Sequence, residues 1–371
     1  MAKQTLYDTC QDMLTVLKLQ NFRSHQNLKL DFGDGVNLIG GANGSGKSSI
    51  VEAINLVATG SSFRADKLEE MVAFGQELSR VEGKIESDTL TVIITRGEVQ
   101  GKKTQKRYFE INGARRTARA IKGLFYSVVF RPEDLRLIEG SPSRRRSFLD
   151  ELLSQLSMDY QHSLRTYEQT LVRRNKILWA VREGEQSATA LQYWNLSLIK
   201  HGQILHQARQ DFVQFCQTVT FPVLFKIEYL PSVIDAERLE QYYPRELAAG
   251  HTLIGPHKDD FVISCDVQDI ERADLTEFKD LAKYGSRGQQ RLAVLWLKTC
   301  QLKFVEAKTD QRPMLILDDI LSELDTDARE FALSLMRAGQ SLITTASQGI
   351  AERIIRTFDQ VKQIDLSAKL K

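Results

Sequence analysis

GVNLIGGANGSGKSSIVEAINLV, residues 35–57, is the stretch on which the fold turns. Gly41, Gly46, Lys47 and Ser48 satisfy G-x-x-x-x-G-K-[ST]; an apolar run (Val36, Leu38, Ile39) precedes the loop, and Ile50, Ile54 and Val57 follow at helical spacing. Strand, glycine-rich turn and helix in this order make a P-loop. The glycines let the chain wrap closely enough for successive backbone N–H groups to face phosphate oxygens, and the helix adds its positive N-terminal end. Gly41, Ala42, Asn43, Gly44, Ser45, Gly46 and Ser49 are therefore expected around the phosphates, with Lys47 neutralising the β/γ charge and Ser48 holding Mg²⁺.

A second stretch, MLILDDI at 314–320, is an apolar strand ending in two carboxylates. Ligands bind beyond the carboxyl ends of strands in open α/β sheets, which places Asp318 across from Ser48 as a metal ligand through water. Asp319 is then placed to orient or deprotonate an attacking water. Alone such a strand end is a weak signal; beside a P-loop it is a strong one. Between the two lies YGSRGQQR, 284–291, where Ser286, Gly288 and Gln289 resemble the S-G-G-Q core of the ABC-type ATPase signature, with Arg287 in place of the first Gly. In that superfamily the motif contacts the γ-phosphate held by the opposite subunit, so the resemblance implies a homodimer.

Composition sets wide bounds. The 371 residues, 42% of them hydrophobic, allow one large or two to three ordinary domains with real cores. Fifty Lys+Arg against 48 Asp+Glu leave a net charge of +2, so any nucleic-acid contact depends on local clustering. Cys10, Cys216, Cys265 and Cys300 form no C-x-x-C pair, which argues against structural zinc or a disulfide framework and for reduced thiols. With no apolar N-terminal core and no run of about 18 apolar residues, the expectation is a cytoplasmic protein without a membrane partner.

Alternation predicts strands at 14–19 and 28–32 around NFRSH (21–25), and further strands at 81–85, 90–95, 107–111 and 127–130. From Ser143 the pattern becomes helical: Leu149, Leu152, Leu153, Leu156, Tyr160, Leu164, Tyr167 and Leu171 predict one long helix, and Leu191, Trp194, Leu198, Leu205, Phe212 and Phe215 a second, ended by Phe221-Pro222. Strands are then expected at 225–229, 252–254 and 261–263, followed by a linker, a helix at 283–300, a strand at 314–317, a helix near 327–337 and a strand at 341–345. The fold class is α/β, a nucleotide-binding head built from both chain termini with an antiparallel β subdomain and an inserted helical arm. The expected divisions are an extension at 1–12, the first part of the head at 13–142, the arm at 143–222 and the rest of the head at 223–371.

Taken together, LKLQNFRSH (17–25), GANGSGKSS (41–49), FRPEDL (130–135), GSPSRRRSFLD (140–150), TLIGPHKDDF (252–261), GSRGQQR (285–291) and LILDDILSELD (315–325) resemble the RecF family of bacterial DNA-repair ATPases, related to the SMC proteins. The resemblance spans nearly everything after Met13. It implies ATP and Mg²⁺ as cofactors, ATP-dependent dimerisation on DNA at single-strand gaps, and RecR and RecO as mediators; the shorter acid at 319 and the absence of a switch His after 343 point to slow hydrolysis. It also implies that Arg23 lies near the nucleotide and that Asp325, in SELD, reaches across the dimer. The chain departs from ABC-type ATPases in two places: Asp319 stands where Glu is usual, and Thr344-Thr345 follow Ile343 where a His is expected. FRPEDL replaces a Gln-bearing loop, which leaves its metal contact unassigned.

Three basic clusters are candidates for the DNA backbone: Lys102, Lys103, Lys106 and Arg107; Arg115, Arg116 and Arg119; and Arg144, Arg145 and Arg146. GPHKDD at 255–260 offers His257, Asp259 and Asp260, but a Gly-Pro turn without a second His at ligand spacing points to a brace for the head or a nucleotide contact rather than a metal site. Two other functions share some motifs. A transporter's ATP-binding subunit keeps them much closer together, and a structural SMC-like protein carries arms of hundreds of residues.

Overall fold

The computed structural model describes residues 12–266 and 278–366, so Cys10, all but the last residue of the expected 1–12 extension and most of the linker after 263 lie outside the described residues. The chain divides into two compact units, one built from residues up to 135 together with those from 301 onward, the other from 136–300.

In the first unit, largely apolar runs become a parallel sheet in the order Ser127–Phe130, Met314–Asp318, Ser341–Thr345, Val36–Gly40, closed by the more polar, mostly exposed strand Val361–Asp365. Parallel strands covered on both faces read as unbroken apolar stretches, and Met314–Asp318 and Ser341–Thr345 are buried at every position. The alternating runs form a six-stranded antiparallel sheet in the order His25–Asp31, Leu14–Phe22, Leu78–Ile85, Asp88–Thr95, Arg107–Ile111, Ala114–Arg116. The helix Lys47–Thr59 packs against both sheets: Ile50, Val51, Ala53, Ile54, Leu56 and Val57 are all fully buried, covering more than one helical face. Gly83 permits this approach, since a Cβ there would sit 2.9 Å from Val57 Cγ1.

The second unit contains the helices Pro142–Leu156, Met158–Arg182 and Gln192–Cys216, the helix Ala236–Ala249, and an antiparallel sheet of Phe225–Leu230, Asp260–Asp266 and Phe278–Asp280. The single long helix expected from Leu149 onward is broken at Ser157, which leaves helical geometry and accepts a hydrogen bond from the Tyr160 N–H as the next helix's cap. Apolar spacing continues across the break and conceals it. Ala236–Ala249, with Pro244 inside it, escaped the periodicity reading; Asp235 caps its start. The strand expected at 252–254 is absent. There the Thr252 N–H donates to Asn175 Oδ1 (2.8 Å) and the Leu253 N–H to Glu246 Oε1 (2.8 Å), so side chains satisfy the backbone in place of a ladder.

Residues 223–300, assigned from sequence to the head, cluster with the helices, because the sheet packs on them: Phe225 meets Trp296 at 5.5 Å and His206 binds the Tyr229 hydroxyl at 2.9 Å. GPHKDD is the centre of this unit. Arg209, 2% exposed, donates to Pro256 O and Asp259 Oδ2 (2.8 Å each) and to Asp150 Oδ1 (2.8 Å). Asp259 also accepts from Tyr229 and the Ser232 N–H, and His257 is bonded to Tyr167 at 2.8 Å. The turn therefore braces the helical unit, with His257, Asp259 and Asp260 all engaged by neighbouring side chains.

Burial pushes the His257 imidazole down to about 4, the Thr252 carbonyl opposing only in part. Because the unfolded His titrates near 6.5, the unfolded state binds the extra proton between those values, and stability rises with pH across that window. Asp259 acts in the same direction: burial opposes its ionisation, but His206, Arg209 and Tyr229 outweigh that and hold the carboxyl below its ordinary value. Urea midpoints measured from pH 7 to pH 4 should fall steadily, and His257→Asn should shallow the fall. An unchanged slope in the variant would show that His257 titrates normally in the fold.

Candidate nucleotide site

The loop after Val36–Gly40 and the helix Lys47–Thr59 form the cradle. Gly44 (φ 82°) and Gly46 (φ 89°) occupy the left-handed region, which suits glycine, and a Cβ on Gly46 would lie 2.4 Å from His25 Nε2. His25, the last residue of NFRSH, hydrogen-bonds the Gly46 carbonyl at 3.1 Å and so ties the antiparallel sheet to the loop. Lys47 curls over the loop mouth, its Nζ donating to Gly41 O (2.8 Å) and Ala42 O (3.0 Å). Ser45 Oγ is buried with no hydrogen-bond partner. An orphan donor beside a poised ammonium is what a phosphate oxygen would satisfy.

Asp318 ends the strand separated from the P-loop strand by Ser341–Thr345. Across roughly 270 positions of sequence it comes near enough to Ser48 for that hydroxyl to favour its charged form. Thr344 Oγ1 donates to Asp318 Oδ1 at 2.6 Å and also receives the Asp319 N–H at 3.1 Å, so one threonine aligns both acids. Burial raises the Asp318 pKa; the Thr344 and Ser48 hydrogen bonds counter it, and the charges of Asp319 and Glu133 add to the rise. Among the described residues no three His, Cys, Asp or Glu side chains gather closely enough to hold a metal ion by themselves, so a cation here would need phosphate oxygens beside Asp318. Glu133 belongs to FRPEDL, the loop to which sequence assigned no role. Asp319 is partly exposed and sits at φ 52°, in the left-handed region that Asp adopts more readily than most residues other than Gly and Asn, with its Oδ1 near the Ala346 N–H (3.4 Å).

Arg23 also sits in the left-handed region (φ 52°), at the turn between the first two strands, and faces an open cleft of about 630 Å³ lined by Ser24, Ser49, Lys67, Glu70 and Phe74. In the second unit, Ser286 and Gln289 form a reciprocal cap at the start of the helix Arg287–Thr309: the Ser286 N–H donates to Gln289 Oε1 (2.8 Å) and the Gln289 N–H to Ser286 Oγ (3.3 Å). This fixes the Ser286 oxygen as an acceptor and leaves its proton to donate. Gly288 lies in the first turn of that helix. Asp325 is the cap of Thr326–Leu335, accepting from the Ala328 N–H at 2.9 Å.

The basic clusters divide by environment. Arg115, Arg116 and Arg119 are exposed on and beyond the edge strand Ala114–Arg116, with Arg115 stacked over Tyr108 at 4.1 Å. Lys102 and Lys103 are exposed on a short ladder with Glu98–Val99, while Lys106 pairs with Glu69 and Arg107 donates to Gly60 O at 2.6 Å. Arg144 is exposed, but Arg145 makes a two-pronged pair with Asp260 (2.6 and 2.9 Å) and Arg146 donates to Asp259 O at 2.9 Å. Their charges are used within the helical unit. Among the described residues no helix is long and apolar enough to cross a membrane.

Comparison with known proteins agrees with this geometry. The RecF/RecN/SMC N-terminal domain family matches residues 13–367. The chain is 33% identical over 357 residues to the DNA replication and repair protein RecF of Caldanaerobacter subterraneus subsp. tengcongensis, covering 90% of this chain and 94% of the relative. It is 31% identical over 358 residues to that of Bacillus cytotoxicus, covering 90% and 92%. Among solved structures it is similar to the recombination mediator protein RecF with ATP in the RecFOR pathway (TM-score 0.77, 30% identity, 94% of this chain and 95% of that one). The corresponding ATPrS structure gives the same TM-score over 91% and 93%.

Proposed function

The chain belongs to the RecF family of DNA replication and repair proteins, and from that membership we propose that it is an ATP-driven DNA clamp, a homodimer closed by ATP and opened by slow hydrolysis. The observation that carries the reading is the sheet register beside the P-loop: the Gly41 N–H donates to Thr345 O (3.3 Å) and Thr344 Oγ1 to Asp318 Oδ1 (2.6 Å), which brings loop and acidic strand end to one place. Lys47 and the loop N–H groups hold the triphosphate, and Ser48 and Asp318 would hold Mg²⁺, which would supply charge neutralisation. Asp319 orients the attacking water. Ser286 and Gly288 of a second copy complete the site, the Ser286 proton donating to the γ-phosphate, and Asp325 contributes across the interface. Asp at 319 is one methylene shorter than Glu, and Thr344 is occupied with Asp318 where other heads present an imidazole; both favour slow turnover, below the roughly 10 s⁻¹ of a median enzyme.

DNA is held by its backbone, without base preference, at single-strand gaps, with RecO and RecR acting as mediators. The exposed Lys102, Lys103, Arg115, Arg116, Arg119 and Arg144 are the contacts supported by their environment. Each neutralised phosphate contributes about −0.9 to the slope of log K against log salt on duplex DNA. Replacing Arg115, Arg116 and Arg119 by Ala should flatten that slope by about 2 to 3 in the ATP-bound state. An unchanged slope removes this edge strand from the interface, and a strong base-sequence preference contradicts backbone recognition.

A further inference from the structure

We propose that Glu52 is a positioning residue that holds Arg23 in the nucleotide cleft. It rests on the reading of this unit as an ATP site. Glu52 follows Ser48 by four residues, so both lie on one face of the P-loop helix. It is the one carboxylate in the heart of that helix, 0% exposed, where a charge persists only if paired and hydrogen-bonded. Its partners meet that demand. Arg23 Nε donates to Oε2 at 2.9 Å and Nη2 to Oε1 at 2.7 Å, a fork matched to a carboxylate, and Ser62 Oγ donates to Oε1 at 2.5 Å.

The backbone confirms that Arg23 is placed rather than merely tolerated. Its left-handed φ is held by its N–H donating to Met71 O at 2.9 Å, and Nη1 donates to Glu70 O at 2.7 Å. Three of the five guanidinium protons are thus directed into protein, while the side chain remains 21% exposed beside a cleft also lined by Ser49, the residue after Ser48 in the first turn of the P-loop helix. A buried helix carboxylate, itself held by a loop serine, and a left-handed turn converge on one arginine whose free edge faces the cavity beside the first helical turn. That arrangement fixes a donor for the nucleotide in one orientation, its charge already balanced, so that it adds direction without drawing bare phosphate from the P-loop.

The test is a double-mutant cycle on the full-length protein, reading ATP·Mg²⁺ affinity by calorimetry and the ATP-induced shift in melting temperature. Arg23→Ala and Glu52→Gln should each weaken ATP about tenfold, and the double variant should be no weaker than Arg23→Ala alone. Arg23→Lys should not rescue, since an ammonium cannot make the fork. The double variant removes both charges, so it remains folded if Glu52→Gln alone proves unstable. If Glu52→Gln lowers the melting temperature but keeps the full ATP-induced shift, the pair is only structural and the proposal fails. It fails equally if the two losses add, or if Arg23→Ala binds ATP normally. Lys47→Ala separates the readings, because normal ATP binding in that variant would overturn the nucleotide site itself.

Discussion

The Asp319→Asn protein is expected to bind ATP and Mg²⁺ as the wild type does and to hydrolyse ATP about 10²–10⁴-fold more slowly, the range a positioned general base contributes. The geometry separates the two acids. Asp318 is buried and held by Thr344, whereas Asp319 is partly exposed beyond the strand end, in left-handed backbone, with its N–H anchored on Thr344. Asp318→Asn should accordingly weaken Mg²⁺-dependent binding, while Asp319→Asn affects only turnover. Single-turnover hydrolysis and nucleotide affinity measured on both variants decide it: normal hydrolysis by Asp319→Asn removes it as the base.

Arg209→Ala is expected to destabilise the helical unit by about 3–5 kcal/mol, the cost of leaving a buried charge without its partner. Arg209 closes the contact between Asp150, Tyr160, Pro256 O and Asp259, and Asp259 is 0% exposed. Arg182→Ala provides the contrast: it pairs with Glu183 at 2.9 Å, but both side chains are more than a third exposed, and the loss should be under about 1 kcal/mol. Urea unfolding followed by far-UV circular dichroism gives both numbers. Equal effects would mean that the GPHKDD brace carries no more weight than a surface pair.

Much of this was legible because local pattern and global role coincide. The P-loop announces itself by spacing that only strand, turn and helix satisfy together, and MLILD by an apolar run that only a doubly covered strand needs. What stayed hidden depends on contacts distant in sequence. Thr344 looks like any strand threonine until its hydroxyl is seen on Asp318, and Glu133 like any loop acid until its charge reaches the same carboxylate. Arg145 and Arg146 read as part of a basic run, although Asp260 and the Asp259 carbonyl, more than a hundred residues on, take up their donors. Glu52 gave no signal because a helix of Ile, Val and Ala with one acid reads as amphipathic; only the second sheet packed on it shows that the acid is inside.

Whether two copies share the nucleotide is tested most directly by mass. Sedimentation velocity at micromolar protein should give a monomer without nucleotide and a dimer with ATP·Mg²⁺, most persistent for Asp319→Asn. Ser286→Arg should remain monomeric while still binding ATP, since it alters the cap of Arg287–Thr309 and leaves Lys47 and the P-loop untouched. A wild-type mass that does not change with ATP, or a Ser286→Arg protein that dimerises normally, would contradict the account.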